Sequence, residues 1–221
     1  PLGGNRDVGG RWLYRYSPTQ TPPFTRVNVG AIKEVSTLRV DAAGKLWIGD
    51  WTGGLFRYDG RTFTPFSVQD GLPSDRIMSI SKDSQGRLWF GTIQGVSIYD
   101  GAKFINPPEL IQVGLVYGLV TDRHGDVWLA TDGGAVKLKL KAEIPPTPFS
   151  KGGVKSSLLE GALMSTFTTA NGLPHNQVNC VLEDKNGHLW FGTSEGLTLH
   201  IPNPVPPLCH IERVVFANQT R

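Results

Sequence analysis

Residues 178–192, Val178-Asn-Cys-Val-Leu-Glu-Asp184-Lys-Asn-Gly187-His-Leu-Trp190-Phe-Gly192, contain the pattern that decides the fold. An apolar segment runs into Asp-x-x-Gly, and a second apolar segment that carries a tryptophan follows. The aspartate can accept backbone N–H bonds and the glycine can adopt positive φ, so these four residues favour a tight turn. The pattern predicts two antiparallel strands joined by that turn.

The same pattern occurs four times. Gly44 and Gly86 are 42 residues apart, and Gly86 and Gly125 are 39 apart. A period of about 40 residues built from short strands is typical of β-propeller blades. We therefore predict an all-β propeller of four-stranded antiparallel blades. Twelve residues are assigned a structural role in its turns and blades: Asp41, Gly44, Trp47, Asp83, Gly86, Trp89, Asp122, Gly125, Trp128, Asp184, Gly187 and Trp190.

Each repeat is expected to supply four strands, named a to d from the inside of the ring outwards. The last repeat provides only a, b and c, while Trp12–Tyr16 and Pro22–Val27 match strands c and d of a preceding blade. The chain thus holds about four to five blades. We expect an arc of a larger ring or a ring closed by strand exchange, in which the N-terminal strand completes the last blade. Unpaired edges at Trp12–Val27 and Leu197–Ile201 favour self-association.

The domain boundaries follow from the repeats. Residues 141–163 form an insertion rich in Pro, Gly and Lys between strands c and d of the third repeat, and strand d resumes at Ser165. We assign residues 1–203 to the blades. Residues 204–221 are expected to be a linker and the first strand of a further module, or a tail.

Composition excludes several classes of protein. The net charge is +3, but the basic residues are scattered, so we predict no nucleic-acid partner. No apolar stretch is long enough to span a bilayer, and residues 1–4 do not begin a signal peptide. Two cysteines cannot build a disulfide scaffold, and Cys180 is expected to be a small buried residue on strand a.

Residues 167–197 closely resemble the two-component regulator propeller repeat, and residues 66–96 are a second good copy that includes Asp70-Gly-Leu-Pro73. The other two repeats match only the Asp-x-x-Gly-x-x-Trp half. Residues 204–218 are similar to the start of the immunoglobulin-like module that follows such propellers. The resemblance implies an extracytoplasmic, periplasmic or extracellular, sensor of a bacterial signalling protein, which reaches the membrane and a histidine kinase only through a parent protein.

Motifs of catalysis are absent from the sequence. It contains no Gly-x-Ser-x-Gly, His-Glu-x-x-His or phosphate-loop motif, and its five histidines are dispersed. We predict no catalytic residue, no metal and no cofactor. A virginiamycin-B-lyase-like lyase, a sialidase-like hydrolase and a structural scaffold for protein interaction remain as alternatives to a sensor.

The loops between strands b and c are the predicted ligand-binding surface. They emerge on the same face as the d–a loops, and their residue types differ most between repeats. Differing loops on a repeated scaffold commonly carry ligand specificity. We assign a small polar ligand, such as a carbohydrate, to eight residues: Asp50, Trp51, Thr52, Gln94, Thr131, Asp132, Ser194 and Glu195.

The architecture can be tested in solution. Far-UV circular dichroism of the chain should be dominated by β-structure, because the repeats leave no segment for a long helix. A helix content above about a quarter would contradict the propeller assignment.

Overall fold

The computed structural model describes residues 13–27, 32–140, 159, 162–202 and 211–214. It begins with a hairpin of two paired strands, β1 (Leu13–Tyr16) and β2 (Phe24–Val27). The first blade follows, with β3 (Val35–Val40), β4 (Leu46–Asp50), β5 (Gly54–Tyr58) and β6 (Phe63–Phe66). The second blade comprises β7 (Ile77–Lys82), β8 (Leu88–Thr92), β9 (Gly95–Tyr99) and β10 (Phe104–Ile105).

Two more blades complete the described part of the chain. A single helix of four residues, α1 (Pro108–Ile111), leads into the third blade. That blade is formed by β11 (Val116–Thr121), β12 (Val127–Thr131), β13 (Gly134–Lys139) and β14 (Leu163–Phe167). The fourth is formed by β15 (Val178–Glu183), β16 (Leu189–Thr193), β17 (Gly196–His200) and β18 (Ile211–Val214). The prediction of an all-β propeller of four-stranded antiparallel blades is confirmed.

The last blade corrects the expected strand count. Its fourth position is taken by β18, which pairs antiparallel with β17 and covers the edge predicted to be open. The N-terminal strand does not fill it, because β2 pairs with β1 instead. Closure by strand exchange is therefore wrong, and residues 211–214 form the outer strand of the fourth blade. The boundary at residue 203 and the rest of the tail stay predictions, since those residues lie outside the described ones.

The third blade also differs from its prediction by two residues. Strand β14 starts at Leu163, which had been assigned to the insertion, and Leu163 pairs with Lys139 of β13. Apart from residues 159, 162 and 163, the predicted insertion lies outside the described residues. The outer strand nevertheless returns to the same place in the sheet as in the first two blades.

Cross-strand pairs at the inner edge of each blade always contain a glycine. Strand a faces strand b there through Thr37 and Gly49, Ser79 and Gly91, Gly118 and Ala130, and Cys180 and Gly192. A Cβ on Gly91 would lie 2.6 Å from the Ser79 Oγ and 2.9 Å from a Val116 methyl group of the next blade. The third repeat carries its glycine on strand a, which leaves room for Ala130 on strand b.

The tryptophan that recurs in each repeat packs against the following blade where one is described. Trp47 packs against Phe90 and Tyr99 of the second blade, with ring centroids 5.4 and 5.1 Å away. Trp128 lies 5.5 Å from Phe191 of the fourth blade. Trp47 and Trp89 are fully buried and Trp128 is 1% exposed, but Trp190 is only half-buried. Trp190 is less enclosed than the other three because no described blade follows the fourth.

The inner strands at the two ends of the arc are more exposed than those between. Leu38 and Val40 of β3 are 46% and 53% exposed, and Leu182 of β15 is 62% exposed. Cys180 is exposed for the same reason, so the prediction that it is buried is wrong. Self-association through open blade surfaces stays a prediction.

Packing between blades can be measured with two matched substitutions. Trp89→Ala should lower the free energy of unfolding by about 3–5 kcal/mol, because it empties a fully buried site. Trp190→Ala should cost less, since its ring is already partly exposed and has no described blade behind it. Each variant loses one indole hydrogen bond of the same kind, so the difference in their urea unfolding curves isolates packing. Equal losses would contradict the described arc.

Candidate functional site

The Asp-x-x-Gly turns are built around saturated carboxylates. In every blade, one carboxylate oxygen accepts the N–H groups two and four residues later. The other accepts the indole N–H of the tryptophan six residues later. That indole bond is 2.9 Å long at Asp41, Asp83 and Asp122 and 3.1 Å at Asp184. The backbone bonds were predicted from the sequence, whereas the indole donor was not.

These bonds also lower the pKa of two of the turn carboxylates, Asp41 and Asp184. Burial acts to raise the pKa of Asp184, but hydrogen bonds from two backbone N–H groups and the Trp190 indole outweigh it and lower the pKa to about 2. The same balance lowers the pKa of Asp41 from its ordinary value. The four aspartates therefore serve the turns, and their oxygens are occupied by donors of their own repeat.

The Asp-Gly-Leu-Pro loop before β7 is a capped single turn. The Ser67 hydroxyl accepts the Gln69 N–H, and the Asp70 carboxylate accepts the Ser67 N–H at 2.8 Å. Leu72, at 4% exposure, packs in the core between the first two blades. The loop before β15 repeats this arrangement at residues 168–173. The motif thus fixes the path of the d–a connection.

The predicted b–c loops do share a face with the d–a loops. The Gly54 N–H donates to the Asp75 carbonyl, and the Gly95 N–H donates to the Gly114 carbonyl. In the later blades, Asp132 and Ser194 donate to d–a loops in the same way. Each b–c loop is therefore tied to the connection beside it rather than standing free.

Two of the predicted ligand-binding residues point into the protein. Asp50 is fully buried, and its carboxylate accepts the N–H groups of Lys33, Glu34 and Thr52 at 2.6, 2.9 and 2.7 Å. Thr131 is 1% exposed, and its hydroxyl donates to the Gly134 carbonyl at 2.7 Å. Both side chains hold their loops, so neither is available to a ligand. Asp50 has this role because it replaces the threonine of the other repeats.

The other six predicted ligand-binding residues remain at the surface. Trp51 is half-buried, whereas the remaining five are exposed: Thr52, Gln94, Asp132, Ser194 and Glu195. They lie at the tips of four successive b–c loops, and we call these six residues the loop-tip surface. Their backbones are fixed by the bonds to the d–a loops, while their side chains differ from blade to blade.

None of the four histidines among the described residues lies on an inner strand. His124 and His188 lie in Asp-x-x-Gly turns, and the His175 Nδ1 accepts the Gln177 N–H at 2.9 Å. His200, on β17, is 7% exposed with its ring 5.4 Å from Trp128. Burial, and then the charge of Lys137, lower the pKa of His200, so it is neutral at pH 7.

In the described part of the chain, no group of three His, Cys, Asp or Glu side chains is placed to hold a metal ion. Over the same residues, no helix has the length and apolar character needed to cross a membrane.

The role of the Asp50 carboxylate in holding its loop can be tested by comparison with Asp132, an exposed carboxylate in the corresponding loop of the third blade. Burial acts to raise the pKa of Asp50, but its hydrogen bonds outweigh burial and the pKa lies below its ordinary value of 3.8. Asp50→Asn puts an amide N–H against backbone donors and should cost about 1–3 kcal/mol at neutral pH. Because a lowered pKa stabilises the fold above the ordinary value, the difference from wild type should shrink as the pH falls below 3.8.

The control for this prediction is Asp132→Asn. It removes an exposed carboxylate and should change the free energy of unfolding by less than about 0.5 kcal/mol. Chemical unfolding of both variants at several pH values makes the comparison. Equal effects at neutral pH would contradict an anchoring role for Asp50.

Two of the repeats match a known family of sequence repeats. The family model described as two component regulator propeller matches residues 71–94 and 172–195. These are the capped loop, β7 and β8 of the second blade and the corresponding parts of the fourth. No curated protein sequence matches the chain.

Three solved structures share the fold. The extracellular domain of BT3049 from B. thetaiotaomicron, assigned to a hybrid two component system, is 21% identical with a TM-score of 0.61, and the alignment covers 78% of this chain and 22% of that one. PorZ, a surface component of the type-IX secretion system of Porphyromonas gingivalis, is 19% identical with a TM-score of 0.58 over 83% of this chain and 28% of that one. A catalytically inactive virginiamycin B lyase from Staphylococcus aureus with quinupristin is 11% identical with a TM-score of 0.58 over 95% and 61%.

The chain spans between about a fifth and three fifths of these proteins, so their whole activities are not transferred to it. At identities of 21% and below, the likeness establishes a common fold. The family match identifies the sequence motif within that fold. Residues 71–94 and 172–195 are therefore two-component regulator propeller repeats, set in an arc of propeller blades.

Proposed function

We propose that this chain is part of the extracytoplasmic sensor propeller of a bacterial two-component receptor, and that it binds a small polar ligand without catalysing a reaction. The observation that carries the proposal is the pair of two-component regulator repeats, each of which places its motif residues in turns and loops of the frame. Because the motif residues hold these turns and loops, the side chains at the loop tips can differ between blades without disturbing the fold.

The loop-tip surface supports ligand binding on two grounds. Its backbone is held by hydrogen bonds between neighbouring loops, which lowers the entropy lost when a ligand is bound. Its side chains combine a half-buried indole at Trp51 with carboxylates at Asp132 and Glu195 and polar groups between them. An aromatic face beside hydrogen-bond acceptors is suited to a polar ligand such as a carbohydrate.

The location and the signalling role rest on the relatives. BT3049 is named as an extracellular domain and PorZ as a bacterial surface component. An extracytoplasmic position for this chain accords with both. Any kinase activity belongs to the parent protein, which the receptor proposal requires to carry the signal inward.

An enzyme is the principal alternative. A lyase of the virginiamycin B type needs histidines that face the central channel, and the four histidines of the described residues lie in turns, a loop and a buried outer position. Their positions favour binding over catalysis. A scaffold that binds only other proteins is the second alternative, and it predicts no response to small ligands.

A thermal-shift screen separates these functions. Under the sensor proposal, at least one carbohydrate or other polar compound should raise the melting temperature of the chain in a saturable way, with or without a chelator. A melting temperature that falls on adding chelator would favour the metal-dependent enzyme. The absence of any saturable shift across the screen would favour the scaffold.

The position of the ligand is tested with Trp51→Ala. Because Trp51 lies at a loop tip outside the repeated core, this change should leave the melting temperature nearly unaltered while removing the ligand-induced shift. Tyr14→Ala is the matched control, since it also removes a partly exposed aromatic ring, at 53% exposure, but from the β1–β2 hairpin. A shift that survives Trp51→Ala would exclude the loop-tip surface as the binding site.

A further inference from the structure

A cleft of about 250 Å³ opens between the first two blades, on the face opposite the loop-tip surface. Two a–b turns form its walls, at residues 41–45 and 85–88, and the c–d turn at residues 99–101 closes one side. Three cationic side chains line it: Lys45, Arg57 and Arg87. We call this the inter-blade cleft.

The carboxylates in and beside the cleft are already engaged. Asp41 uses both oxygens on the N–H groups and indole of its own turn, and its charge also attracts Lys45. Asp100 accepts the N–H groups of Ala102 and Lys103 at 2.9 Å each. Asp83 does not line the cleft, and its carboxylate pairs with the Nε of Arg87 at 2.6 Å. Of the three cations, Arg87 is therefore neutralised by a bonded partner within its own blade.

Arg57 has no acidic partner among the described residues. Its guanidinium lies over two aromatic rings instead, with Cζ 5.6 Å from the Trp47 centroid and 5.4 Å from the Phe66 centroid. Stacking of this kind holds a guanidinium in place while its N–H donors stay available. Lys45 precedes β4 by one residue and lies two residues before Trp47, the cross-strand partner of Arg57, so it is diagonal to Arg57.

The third blade provides an internal comparison for this pair. Lys137 occupies the register position of Arg57, opposite the blade tryptophan, and its ammonium lies 5.0 Å from the Trp128 ring. Asp126 occupies the position of Lys45, directly after the turn glycine, and its carboxylate is 2.9 Å from the Lys137 Nζ. The same frame thus holds an ion pair in the third blade and two positive charges in the first.

Two like charges on one sheet face repel each other unless an anion lies between them. Because the first blade has Lys45 where the third blade has Asp126, we infer that the inter-blade cleft binds a small organic or inorganic oxyanion. Its carboxylate, sulfate or phosphate group takes the place that the Asp126 carboxylate has in the third blade. Arg57 presents a planar set of donors suited to two oxygens of such a group, and Lys45 adds a point charge.

The size of the cleft limits the ligand. Pockets for drug-sized molecules usually measure about 300–1,000 Å³, so a cleft of 250 Å³ takes a smaller molecule. Tyr99 and Leu88 contribute an uncharged wall beside the cations. The inference concerns a face that the sensor proposal does not use, and it stands whether or not the loop-tip surface binds a carbohydrate.

The test uses the chain with three probes: sodium sulfate, sodium phosphate and sodium succinate, each at constant ionic strength maintained with sodium chloride. Calorimetry and thermal shift should give saturable binding for at least one of them. A preference for sulfate or phosphate would identify an inorganic-type group, whereas a preference for succinate would identify a carboxylate ligand. No saturable binding of any probe would overturn the inference.

Lys45→Asp is the decisive variant. It recreates in the first blade the pairing of Asp126 with Lys137, so it should reduce anion affinity at least tenfold without lowering the melting temperature of the anion-free chain. Lys185→Asp makes the same change of charge at an exposed position of the fourth blade's turn and should retain the wild-type affinity. Equal loss in both variants would mean that net charge, and not this cleft, attracts the anion.

Arg57→Gln provides an independent variant. It removes the second cation while leaving Lys45 in place, and it too should reduce the affinity at least tenfold. Wild-type affinity in a folded Arg57→Gln variant would overturn the assignment of the anion to the cleft.

Discussion

One carboxylate in each turn binds three hydrogen-bond donors, and this interaction sets the position of the tryptophan on which blade packing depends. Two of the donors are backbone N–H groups of the turn, and the third is the indole six residues away. Without the carboxylate, a buried indole N–H would lose its hydrogen bond at a cost of about 1–3 kcal/mol. With it, the ring of Trp47 lies against the next blade, so a local bond determines a contact between sheets.

The inner edges of the blades impose a second constraint, which is one of volume. At this one cross-strand pair, strand b carries glycine in the three repeats in which strand a carries a side chain. The third repeat has the reverse arrangement, with Gly118 on strand a and Ala130 on strand b. A Cβ on Gly49 would lie 2.6 Å from a Thr37 methyl group, which shows how little space the pair leaves. Each pair thus contains one glycine, on strand b in three repeats and on strand a in the third. This explains why the third repeat departs from Gly-Thr without losing its blade.

Features that depend on local spacing could be predicted from the sequence. The turns, the strands around them and the face of each loop follow from the fixed distances between Asp, Gly and Trp. Long-range pairing could not be predicted: β18, which begins at residue 211, pairs with β17 across a proline-rich segment that lacks the Asp-x-x-Gly turn of the repeats. Asp50 was assigned to the ligand-binding surface because the sequence places it in a b–c loop. Its burial could not be predicted, because two of its hydrogen-bond donors, the N–H groups of Lys33 and Glu34, come from a segment that is distant in the sequence. The inter-blade cleft was missed for the same reason, since its cations come from different strands and turns.

The division between frame and variable positions explains how one repeat can carry different chemistry in successive blades. The residue after the turn glycine is Lys45, Arg87, Asp126 or His188, and its backbone N–H bonds to the turn carboxylate in every case. The backbone bond is common to all four turns, whereas the side chains differ: Arg87 pairs with the carboxylate of its own turn, and Asp126 pairs with Lys137. The residue opposite the tryptophan varies in the same way, from Arg57 to Ile98 to Lys137 to Leu199. Charge at these two positions therefore differs from blade to blade, and the pair of cations Lys45 and Arg57 in the first blade is the difference on which the inferred anion site rests.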